Sequence, residues 1–567
     1  MLICTQIMDI VFFQEQPDDF QNEIGTIIEG SIPEWLKNGT FFKNGPGLFQ
    51  VGNHQLNHFF DGYSKIQKFE FQPVGKIVYS SKFLETESYK KAMRNDSPYF
   101  SEFGTSVRPR NPFFRLLSHF HPFILGYSDN CNIAAIDFND TVYVVGESMK
   151  LFKMNPAAHL FLPKTFEGLD LKENQKCQHF IGTCAHWQVD RSSQSGLKMR
   201  NDSSESGSEL KMYGLAMCKK ITLDSIFEKA NQTLYYLDEN DEPKILTEIP
   251  METHRYVNYN HSFSVTPNFI IILRQPIAAD MLRMFKMAFI GSKRGFADAL
   301  TIQTDMKPKI IVICKTSGNI LAQFETTEVL FTLHHVNCYE EVPNKVIILD
   351  CVCFTSLYAL NMFFRDVLKT YSPSESVLNS RCKRFVMDMK NVNKKDSDPI
   401  MGKNVSTADV EFPCINDMFY GKEYQYMWCL CRPSDEVSRK IVQSYAIGRI
   451  DTRKSEENLV YWYEEGSWPS EPCFVPRNLS PSIEYDKNRS ESDGVVLATI
   501  HCNTGLSYLL VCDAETMMSL AKVTWPNVTP GLLVGIHSMF VFPNENRVER
   551  KRKLMLAKTD TVTSDID

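Results

Sequence analysis

Short apolar runs recur along the whole chain, and they restrict it to a fold built mainly of β-strands. Each run is rich in Val, Ile, Phe or Tyr and is bounded by Gly, Pro, Asn or Asp, as is typical of strands joined by turns. The clearest runs lie at 141–148, 269–276, 309–315, 344–354, 493–502 and 507–514, and helical patterns are confined to 296–303 and 355–371. The sequence predicts an all-β sandwich, barrel or propeller. A chain of 567 residues fits a propeller most easily, although no blade-length repeat is visible.

The composition is that of a globular protein and excludes several classes of function. A net charge of −7 argues against a nucleic-acid partner. The 16 cysteines are scattered and form no disulfide or zinc-binding framework, so we expect reduced thiols. The first residues lack the basic segment and cleavage site of a signal peptide, and no stretch is long enough to span a membrane. These features predict a cytoplasmic protein.

One long domain accounts for most of the chain. We interpret residues 1–19 as an N-terminal extension, 20–544 as a single domain, and 545–567, with its basic run at 549–553, as a disordered tail. The Ser-rich segment 191–210 has the composition of a polar surface loop within that domain.

Segment 108–127 mixes apolar side chains with Arg108, Arg110 and Arg115. Its large apolar residues include Phe113, Phe114, Leu116, Leu117 and Phe120. Two interpretations remain open at this point: a buried connecting helix, or an interfacial helix that lies on a membrane with its basic residues near the headgroups. The second would suit an enzyme whose substrate dissolves in lipid.

Four of the 13 histidines lie in strand-like contexts far apart in the sequence: His186, His261, His334 and His537. They form no local motif such as H-E-x-x-H, so a metal site made from them would be assembled by the tertiary structure. A propeller permits this because the inner strands of its blades all reach the axis. At the pair His334–His335, neighbouring strand side chains point to opposite faces, so if one faces a site the other does not.

Three glutamates occupy apolar contexts in which a charge needs a partner: Glu147, Glu411 and Glu471. Taken singly, each is more simply explained as a surface carboxylate. Taken with the histidines they suit another role, because a metal-bound imidazole usually donates its second N–H to a carboxylate.

Several motifs, in order, resemble those of the carotenoid cleavage oxygenases. They are IPEWLKNGTFFKNGPGLFQVG (32–52), NHFFDG (57–62), the four histidine contexts, WPSEPCFVP (468–476) and ESDGVVLA (491–498). The animal branch, with the β-carotene oxygenases and the isomerohydrolase of the retinal pigment epithelium, is the most similar. The resemblance covers roughly residues 20–542.

The resemblance implies a seven-bladed β-propeller with a helical and loop cap over its top face and one Fe(2+) per chain on the axis. By this resemblance the four histidines named above are the iron ligands, and the three glutamates orient three of the imidazoles. His334 matches the family's H-x-x-N position, which includes Asn337, so His335 should point away from the metal.

The implied reaction is cleavage of a conjugated C=C bond of a carotenoid with O2 to give apocarotenoid aldehydes, with 15,15′ cleavage of β-carotene to retinal favoured. The alternatives are eccentric 9′,10′ cleavage, the isomerohydrolase reaction on retinyl esters with iron as a Lewis acid, and carotenoid binding without turnover. The partners would be O2, a lipid-soluble carotenoid or retinoid, and a membrane surface that the protein binds peripherally. No catalytic side chain is expected beyond the iron site.

The sequence departs from the family's usual pattern at three places. Trp187–Gln188 follow the first histidine, where animal relatives have a second histidine two residues on, and this leaves His179 as an alternative ligand. Gly146 stands where many relatives have Thr, and we expect it to alter the placement of O2. At the last histidine, GIHSMF replaces the common F-H-G-x-F.

Overall fold

The structure is a computed structural model of the 567-residue chain. It describes residues 11–107, 128–139, 141–148, 150–154, 160, 167–170, 179–190, 211–219, 229–238, 241–290, 292–356, 358–369, 379–391, 399–441, 444–454, 458–477 and 490–542.

Nearly half of the described residues form short antiparallel strands. In chain order these are β1 (Phe20–Ile24), β2 (Thr26–Gly30), β3 (Thr40–Leu48), β4 (Gln50–Val51), β5 (His54–Gln55), β6 (Tyr63–Gln72), β7 (Lys76–Phe83), β8 (Ala134–Phe138), β9 (Thr141–Val145), β10 (Lys150–Met154), β11 (Glu167–Asp170), β12 (His179–Thr183), β13 (Gln188–Val189), β14 (Met212–Lys219), β15 (Asn231–Leu237), β16 (Pro243–Pro250), β17 (Tyr256–Asn258), β18 (Ser264–Val265), β19 (Phe269–Arg274), β20 (Ile277–Asp280), β21 (Leu300–Ile302), β22 (Lys309–Cys314), β23 (Ile320–Glu325), β24 (Phe331–Glu341), β25 (Val346–Phe354), β26 (Arg381–Asp388), β27 (Lys403–Asn404), β28 (Asp409–Cys414), β29 (Tyr426–Arg432), β30 (Ala446–Asp451), β31 (Leu459–Trp462), β32 (Ser467–Pro469), β33 (Cys473–Pro476), β34 (Gly494–Cys502), β35 (Ser507–Asp513), β36 (Ser519–Thr524) and β37 (His537–Val541).

In the part of the chain that the structure describes, helices are few and short. The α-helices are α1 (Glu87–Asn95), α2 (Met281–Ile290), α3 (Tyr358–Asn361), α4 (Arg365–Leu368) and α5 (Glu436–Ile441), and single 3-10 turns occupy Glu34–Leu36, Phe59–Asp61, Pro73–Gly75, Gly295–Ala299, Val342–Asn344, Met389–Asn391 and Asp417–Phe419. Among the described helices, none combines the length and the hydropathy needed to cross a bilayer.

Seven of the sheets are the blades of a propeller, in agreement with the predicted fold. Blade I holds β1, β7, β6, β3 and β37; blade II, β8 to β11; blade III, β12 to β16; blade IV, β18, β19, β22 and β23; blade V, β24 to β27; blade VI, β28 to β31; and blade VII, β2 with β32 to β36. Small sheets of β17, β20 and β21 and of β4 and β5 lie outside the blades.

The ring is closed by strands from both ends of the domain. The C-terminal β37 pairs with β3 in blade I, and the N-terminal β2 pairs with β36 in blade VII. Inner strands of successive blades also contact one another: β37 contacts β8, β18 contacts β24, β24 contacts β28, and β33 contacts β37. Closure of the ring leaves only short, protected sheet edges and brings side chains from all seven blades to the axis.

The apolar runs of the sequence become the central strands of the blades. The run at 493–502 forms β34, whose residues are almost all buried because both of its faces pack against neighbouring blades. A strand buried on both faces needs a nearly continuous apolar sequence rather than alternation. All six runs highlighted above contain a strand, so these predictions are confirmed.

The helix predictions were less accurate. Residues 296–303 form a 3-10 turn followed by β21, and 355–371 contain only the short helices α3 and α4. Helix α2, which the sequence pattern did not reveal, begins directly after β20. Its apolar residues stand next to strand residues of similar composition, so the run did not separate helix from strand.

Residues 11–19 pack against the domain, and the extension predicted for 1–19 stays a prediction. Val11 and Phe13 are buried in the core, and the fully buried Gln16 donates from Nε2 to the carbonyl oxygen of Gly531, 3.0 Å away. All 14 cysteines of the described residues are free.

Candidate metal centre

Four histidines meet at the propeller axis. His186, His261, His334 and His537 each offer one ring nitrogen, and these four atoms all lie within 4.8 Å of one another. The Nε2 atoms of His186, His334 and His537 are buried and have no hydrogen-bond partner. Orphaned ring nitrogens that converge on one point are the signature of ligands awaiting a common partner.

Every blade contributes one side chain to this centre. The histidines come from blades III, IV, V and I: His186 lies between β12 and β13, His261 just before β18, His334 within β24 and His537 at the start of β37. The glutamates come from the other three blades: Glu147 follows β9, Glu411 lies in β28 and Glu471 lies between β32 and β33. The structure therefore brings together all seven residues selected from the sequence.

The pair His334–Glu411 is the most deeply buried of the three carboxylate–imidazole pairs. His334 Nδ1 lies 2.5 Å from Glu411 Oε2, and the two residues are 7% and 4% exposed. The backbone N–H of Phe412 also donates to Glu411 Oε2, at 2.5 Å. Phe412 has a φ of 49°, which is unusual for a bulky residue, at a bulge in β28. The bulge thus aims a backbone donor at the carboxylate.

Glu471 holds His537 in the same manner. His537 Nδ1 lies 2.6 Å from Glu471 Oε1, and the other carboxylate oxygen accepts hydrogen bonds from the backbone N–H and the hydroxyl of Ser538, at 2.6 and 2.9 Å. Burial opposes ionisation of Glu471, but His537, Ser538 and the Lys43 ammonium outweigh it, and the pKa of Glu471 is lowered. Ser538 is therefore a further donor to this carboxylate.

The third pair includes a tyrosine that sequence reasoning missed. His261 Nδ1 lies 2.9 Å from Glu147 Oε1 and 2.8 Å from the Tyr259 hydroxyl oxygen, and that hydroxyl donates to the same Glu147 oxygen. Glu147 is the most exposed of the three glutamates, with 29% of its side chain accessible. Tyr259 stands two residues before His261, and this Tyr-x-His spacing on one face of an extended segment is the signal that could have identified it.

His186 is held by backbone contacts. Among the described residues, no carboxylate accepts a hydrogen bond from its ring. Its own N–H and that of Ala185 both donate to the carbonyl oxygen of His261, at 3.1 and 3.0 Å. Its ring lies 4.4 Å from that of His537 and 4.9 Å from those of His261 and His334, between centroids. The turn that carries His186 is thus fixed to blade IV.

The two adjacent histidines of β24 serve different surroundings. His334 faces the centre, whereas His335 Nδ1 lies 2.8 Å from the Ser264 hydroxyl of blade IV. Burial lowers the pKa of His335 to about 3, so it stays neutral. The Asn337 side chain donates to the carbonyl oxygens of Phe419 and Lys422 and so ties blade V to blade VI.

Three of the four rings have shifted pKa values, and the shifts differ in direction. Burial and the neighbouring histidines hold the pKa of His186 well below its usual range. Burial also lowers the pKa of His261, although Glu147 opposes the effect. At His334 burial acts in the same direction, but the Glu411 carboxylate outweighs it and the pKa is raised. Neutral imidazole is the form that binds a metal.

The donor set fits a transition metal. Metal–imidazole bonds of about 2.1 Å would place opposite nitrogens about 4.2 Å apart, which is compatible with the 4.8 Å limit on the four atoms. Imidazole nitrogens suit Fe, Zn, Cu and Ni, and glutamates behind the rings fix the tautomers. The carboxylates would offset part of a bound metal's charge from behind the imidazoles.

An apolar cavity of about 450 Å³, including space open to solvent, borders the centre on the side of His261, His334 and His537. Its apolar lining consists of Phe60, Ile133, Leu333, Phe354, Ala359, Phe363, Phe412 and Ile536. Phe60 and Phe363 come from a 3-10 turn and from the link between α3 and α4, so short helical segments cover this face.

The remaining sequence predictions concern Gly146 and segments that lie outside the described residues. A Cβ on Gly146 would lie 3.0 Å from Cys131 Cα, so the glycine faces backbone of blade II, and its effect on O2 stays a prediction. Segment 108–127, with Phe113, Phe114, Leu116, Leu117 and Phe120, lies outside the described residues, as do 191–210, the tail from 545 and the side chain of His179.

Comparison with known proteins agrees with this architecture. Residues 13–542 match the family model described as "Retinal pigment epithelial membrane protein". The chain is 26% identical to the β,β-carotene 15,15′-dioxygenase of Gallus gallus, over 94% of this chain and 98% of that protein. It is 24% identical to the carotenoid isomerooxygenase of Galleria mellonella, over 90% and 92%.

Solved structures share the fold. Cobalt-substituted apocarotenoid oxygenase of Synechocystis superposes with a TM-score of 0.71 at 22% identity, over 95% of this chain and 99% of that one. The match to the family model spans most of the chain and includes every residue of the histidine–glutamate centre. The chain therefore belongs to the retinal pigment epithelial membrane protein family, the family of the carotenoid oxygenases.

Proposed function

We propose that this protein is a non-haem Fe(2+) dioxygenase that cleaves one conjugated C=C bond of a carotenoid with O2 and releases two apocarotenoid aldehydes. The observation that carries the proposal is the centre itself. Four histidine nitrogens converge beside an apolar cavity, and three glutamates support three of the rings. The relative in Gallus gallus is named a β,β-carotene 15,15′-dioxygenase.

One iron per chain would be held by His186, His261, His334 and His537. Four neutral ligands leave coordination positions open on an octahedral ion, and when bound the iron supplies the reactivity toward O2 that the side chains lack. A relative with this fold has been crystallised with cobalt substituted, so cobalt is a reasonable spectroscopic probe for the same cluster here.

The remaining work falls to the protein's own residues. Glu147, Glu411 and Glu471 keep a proton on Nδ1 of their histidines and so present Nε2 to the metal. The apolar cavity lining excludes water and holds a polyene beside the centre. Cleavage adds both atoms of O2 across one C=C bond, so the products balance without an external reductant. No side chain is required as a general acid or base.

We favour 15,15′ cleavage of β-carotene to retinal. Eccentric 9′,10′ cleavage is the second candidate because no cavity residue fixes the scission position. The isomerohydrolase reaction on retinyl esters is a third. The insect relative is named an isomerooxygenase, so isomerisation occurs on this fold. Carotenoid binding without turnover is the fourth, and the departures at Gly146 and Trp187 are its only support.

The experiment that tests the proposal is incubation of the iron-loaded chain with β-carotene under ¹⁸O2, with the products analysed by mass spectrometry. We expect retinal labelled with ¹⁸O. A labelled longer apocarotenal would move the cut to the 9′,10′ bond. Bound iron without product from β-carotene, followed by retinol from a retinyl ester with ¹⁸O taken from water, would replace the dioxygenase with an isomerohydrolase. Failure of iron to bind would overturn the metal centre.

We further propose that the protein docks on membranes to extract its substrate. Helix α2 is near the segments that border the cavity: Arg294, just beyond its end, forms an ion pair with Asp366 and lies over the ring of Phe364. The helix exposes Leu282 beside Arg283, and Leu282 is 47% accessible. Such a mixture suits an interface between lipid and water. We place the protein in the cytoplasm, although one relative, in Mustela putorius furo, is named mitochondrial.

Replacement of Phe113, Phe114 and Leu117 by Ser tests the docking. We expect the variant to lose binding to liposomes that the wild-type chain binds, while its iron content stays the same. Unchanged partition would show that segment 108–127 is not a docking surface.

A further inference from the structure

A fully buried lysine lies behind the centre and has no role in the mechanism above. Lys43 belongs to β3, where it pairs with Ser538, the residue after the ligand His537. None of its surface is accessible. Burial of an ammonium group is costly unless an opposite charge or hydrogen-bond acceptors compensate, so the position requires an explanation.

The surroundings of Lys43 are built to hold its side chain. Lys43 Nζ donates to the Ser470 hydroxyl oxygen at 2.6 Å, and the backbone N–H of Thr499 donates to the same oxygen at 3.0 Å. Gly535 makes room for the lysine stem, because a Cβ there would lie 2.8 Å from Lys43 Cε. Gly535 also has a φ of 69°, which favours glycine.

The partners of Lys43 adjoin a carboxylate of the metal centre, because its ladder partner Ser538 donates to Glu471. Ser470 directly precedes Glu471, which holds His537. Burial lowers the pKa of Lys43 to about 7, and the Glu471 charge opposes that shift. In turn, Lys43 is among the groups that favour ionised Glu471. The two charges therefore act on each other although their side chains are not hydrogen-bonded.

Lys65, in the neighbouring strand β6, shows what a purely structural buried lysine looks like here. It is also fully buried, but its Nζ donates to the carbonyl oxygens of Gln16 and Asp18, both at 2.6 Å, and lies 3.7 Å from Asp19. Its partners are the N-terminal segment, with no residue of the metal centre among them. Lys65 anchors the N-terminal segment, whereas the partners of Lys43, Ser470 and Ser538, adjoin the carboxylate that holds His537.

We propose that Lys43 is a positioning residue that sets the charge of the metal centre, its buried ammonium offsetting one of the three carboxylates. The proposal rests on the metal centre of the proposed function. With three carboxylates and no opposing cation, the site would favour ions of higher charge. With Lys43 in place it favours a divalent ion over a trivalent one, and so keeps bound iron in the ferrous state.

Titration of the metal-free, full-length chain with Co²⁺ at neutral pH tests this inference. Lys43→Gln keeps a side chain that can hydrogen-bond to Ser470 but removes the charge. We expect it to bind Co²⁺ about 3- to 10-fold more tightly than wild type, because a repulsive charge has been removed. Lys43→Arg, which keeps a positive charge at this position, should bind no more tightly than wild type. Lys65→Gln, the matched control, should lower stability without a change in affinity.

A second readout separates the charge effect from a packing effect. Loss of the ammonium should lower the Fe(3+)/Fe(2+) reduction potential of the iron-loaded Lys43→Gln chain. Removal of a positive charge stabilises the more highly charged ferric ion more than the ferrous ion. A merely structural lysine would give weaker metal binding when replaced.

The outcomes are distinguishable. Absence of Co²⁺ binding by wild type would overturn the metal centre itself. Normal binding by wild type with unchanged or weaker binding by folded Lys43→Gln would overturn only the role of Lys43. If Lys43→Gln fails to fold, Lys43→Met provides the second neutral variant, and failure of both beside a folded Lys43→Arg would assign the lysine to stability and overturn the inference.

Discussion

His334 and His186 offer ligand atoms to the same site but are held by different means. His334 lies within the long strand β24, and a nearly inaccessible carboxylate, Glu411, fixes its Nδ1. His186 lies in a turn between β12 and β13, and it is positioned by backbone hydrogen bonds to His261. The first ligand is oriented by a buried charge and the second by chain geometry.

The difference separates two costs of building a metal site. A buried carboxylate fixes the tautomer of its imidazole. Its own negative charge, however, is buried and needs that imidazole as a partner even when no metal is bound. A turn held by backbone bonds adds no buried charge, but it holds the ring orientation less tightly. The substitutions below test this division of roles.

The largest effect is expected when each histidine is replaced by alanine. Both variants lose a ligand and should bind Co²⁺ far more weakly than wild type. His334→Ala also leaves Glu411 without its imidazole partner, so we expect the free energy of unfolding to fall by about 3–5 kcal/mol. For His186→Ala we expect about 1 kcal/mol. Urea denaturation of the metal-free chains measures both, and equal losses would contradict the comparison.

Replacement of the carboxylates comes next. Glu411→Gln and Glu147→Gln should each weaken Co²⁺ binding by about 10- to 100-fold, because the tautomer of a ligand is no longer fixed. We expect the larger loss for Glu411, since His261 retains the Tyr259 hydroxyl when Glu147 is changed. A larger loss for Glu147→Gln would show that Tyr259 cannot take over the proton of His261.

Tyr259→Phe should have a smaller effect. It removes one hydrogen bond to Glu147, worth about 1 kcal/mol, so the affinity for Co²⁺ should fall about fivefold. Tyr235→Phe is the matched control, since the Tyr235 hydroxyl is buried and has no partner. In a double-mutant cycle, Tyr259→Phe and Glu147→Gln should be non-additive, and additivity would place Tyr259 outside the network.

The smallest effect is expected from a change of pH, which alters the protonation of the histidines without a substitution. The pKa of His334 is raised, so its contribution to stability is present below the unfolded value of 6.5 and is lost as pH rises through the folded value. The pKa of His186 is lowered, so this residue lowers stability once pH falls below 6.5. NMR of ¹³C-labelled histidines in the metal-free chain should show His334 protonating before His186. The reverse order would contradict the assigned environments.

The fold could be predicted in class and largely in its strands. Runs such as 493–502 and 309–315 are apolar without interruption because their strands are buried on both faces. Helix α2 was missed and 296–303 was assigned wrongly as helix, since short apolar stretches carry no clear period. The number of blades came from the family resemblance, because the blades lack a common sequence repeat.

The sequence indicated which residues form the site but not how they pair. The unusual contexts of His186, Glu147 and the other five residues were visible in the chain itself. The sequence did not show which glutamate supports which histidine. Glu147 of blade II pairs with a histidine of blade IV rather than with the histidine of the adjacent blade III. Tyr259 and Lys43 were missed, since one resembles a strand residue and the other a surface charge.

The sequence by itself determined the all-β class, the family and the identity of seven residues, because these depend on local patterning and on motifs. Only the tertiary structure decided that each blade gives one residue, that His186 lacks a carboxylate, and that Lys43 lies behind Glu471. Ring closure brings together side chains hundreds of residues apart, and burial then makes their charges depend on one another.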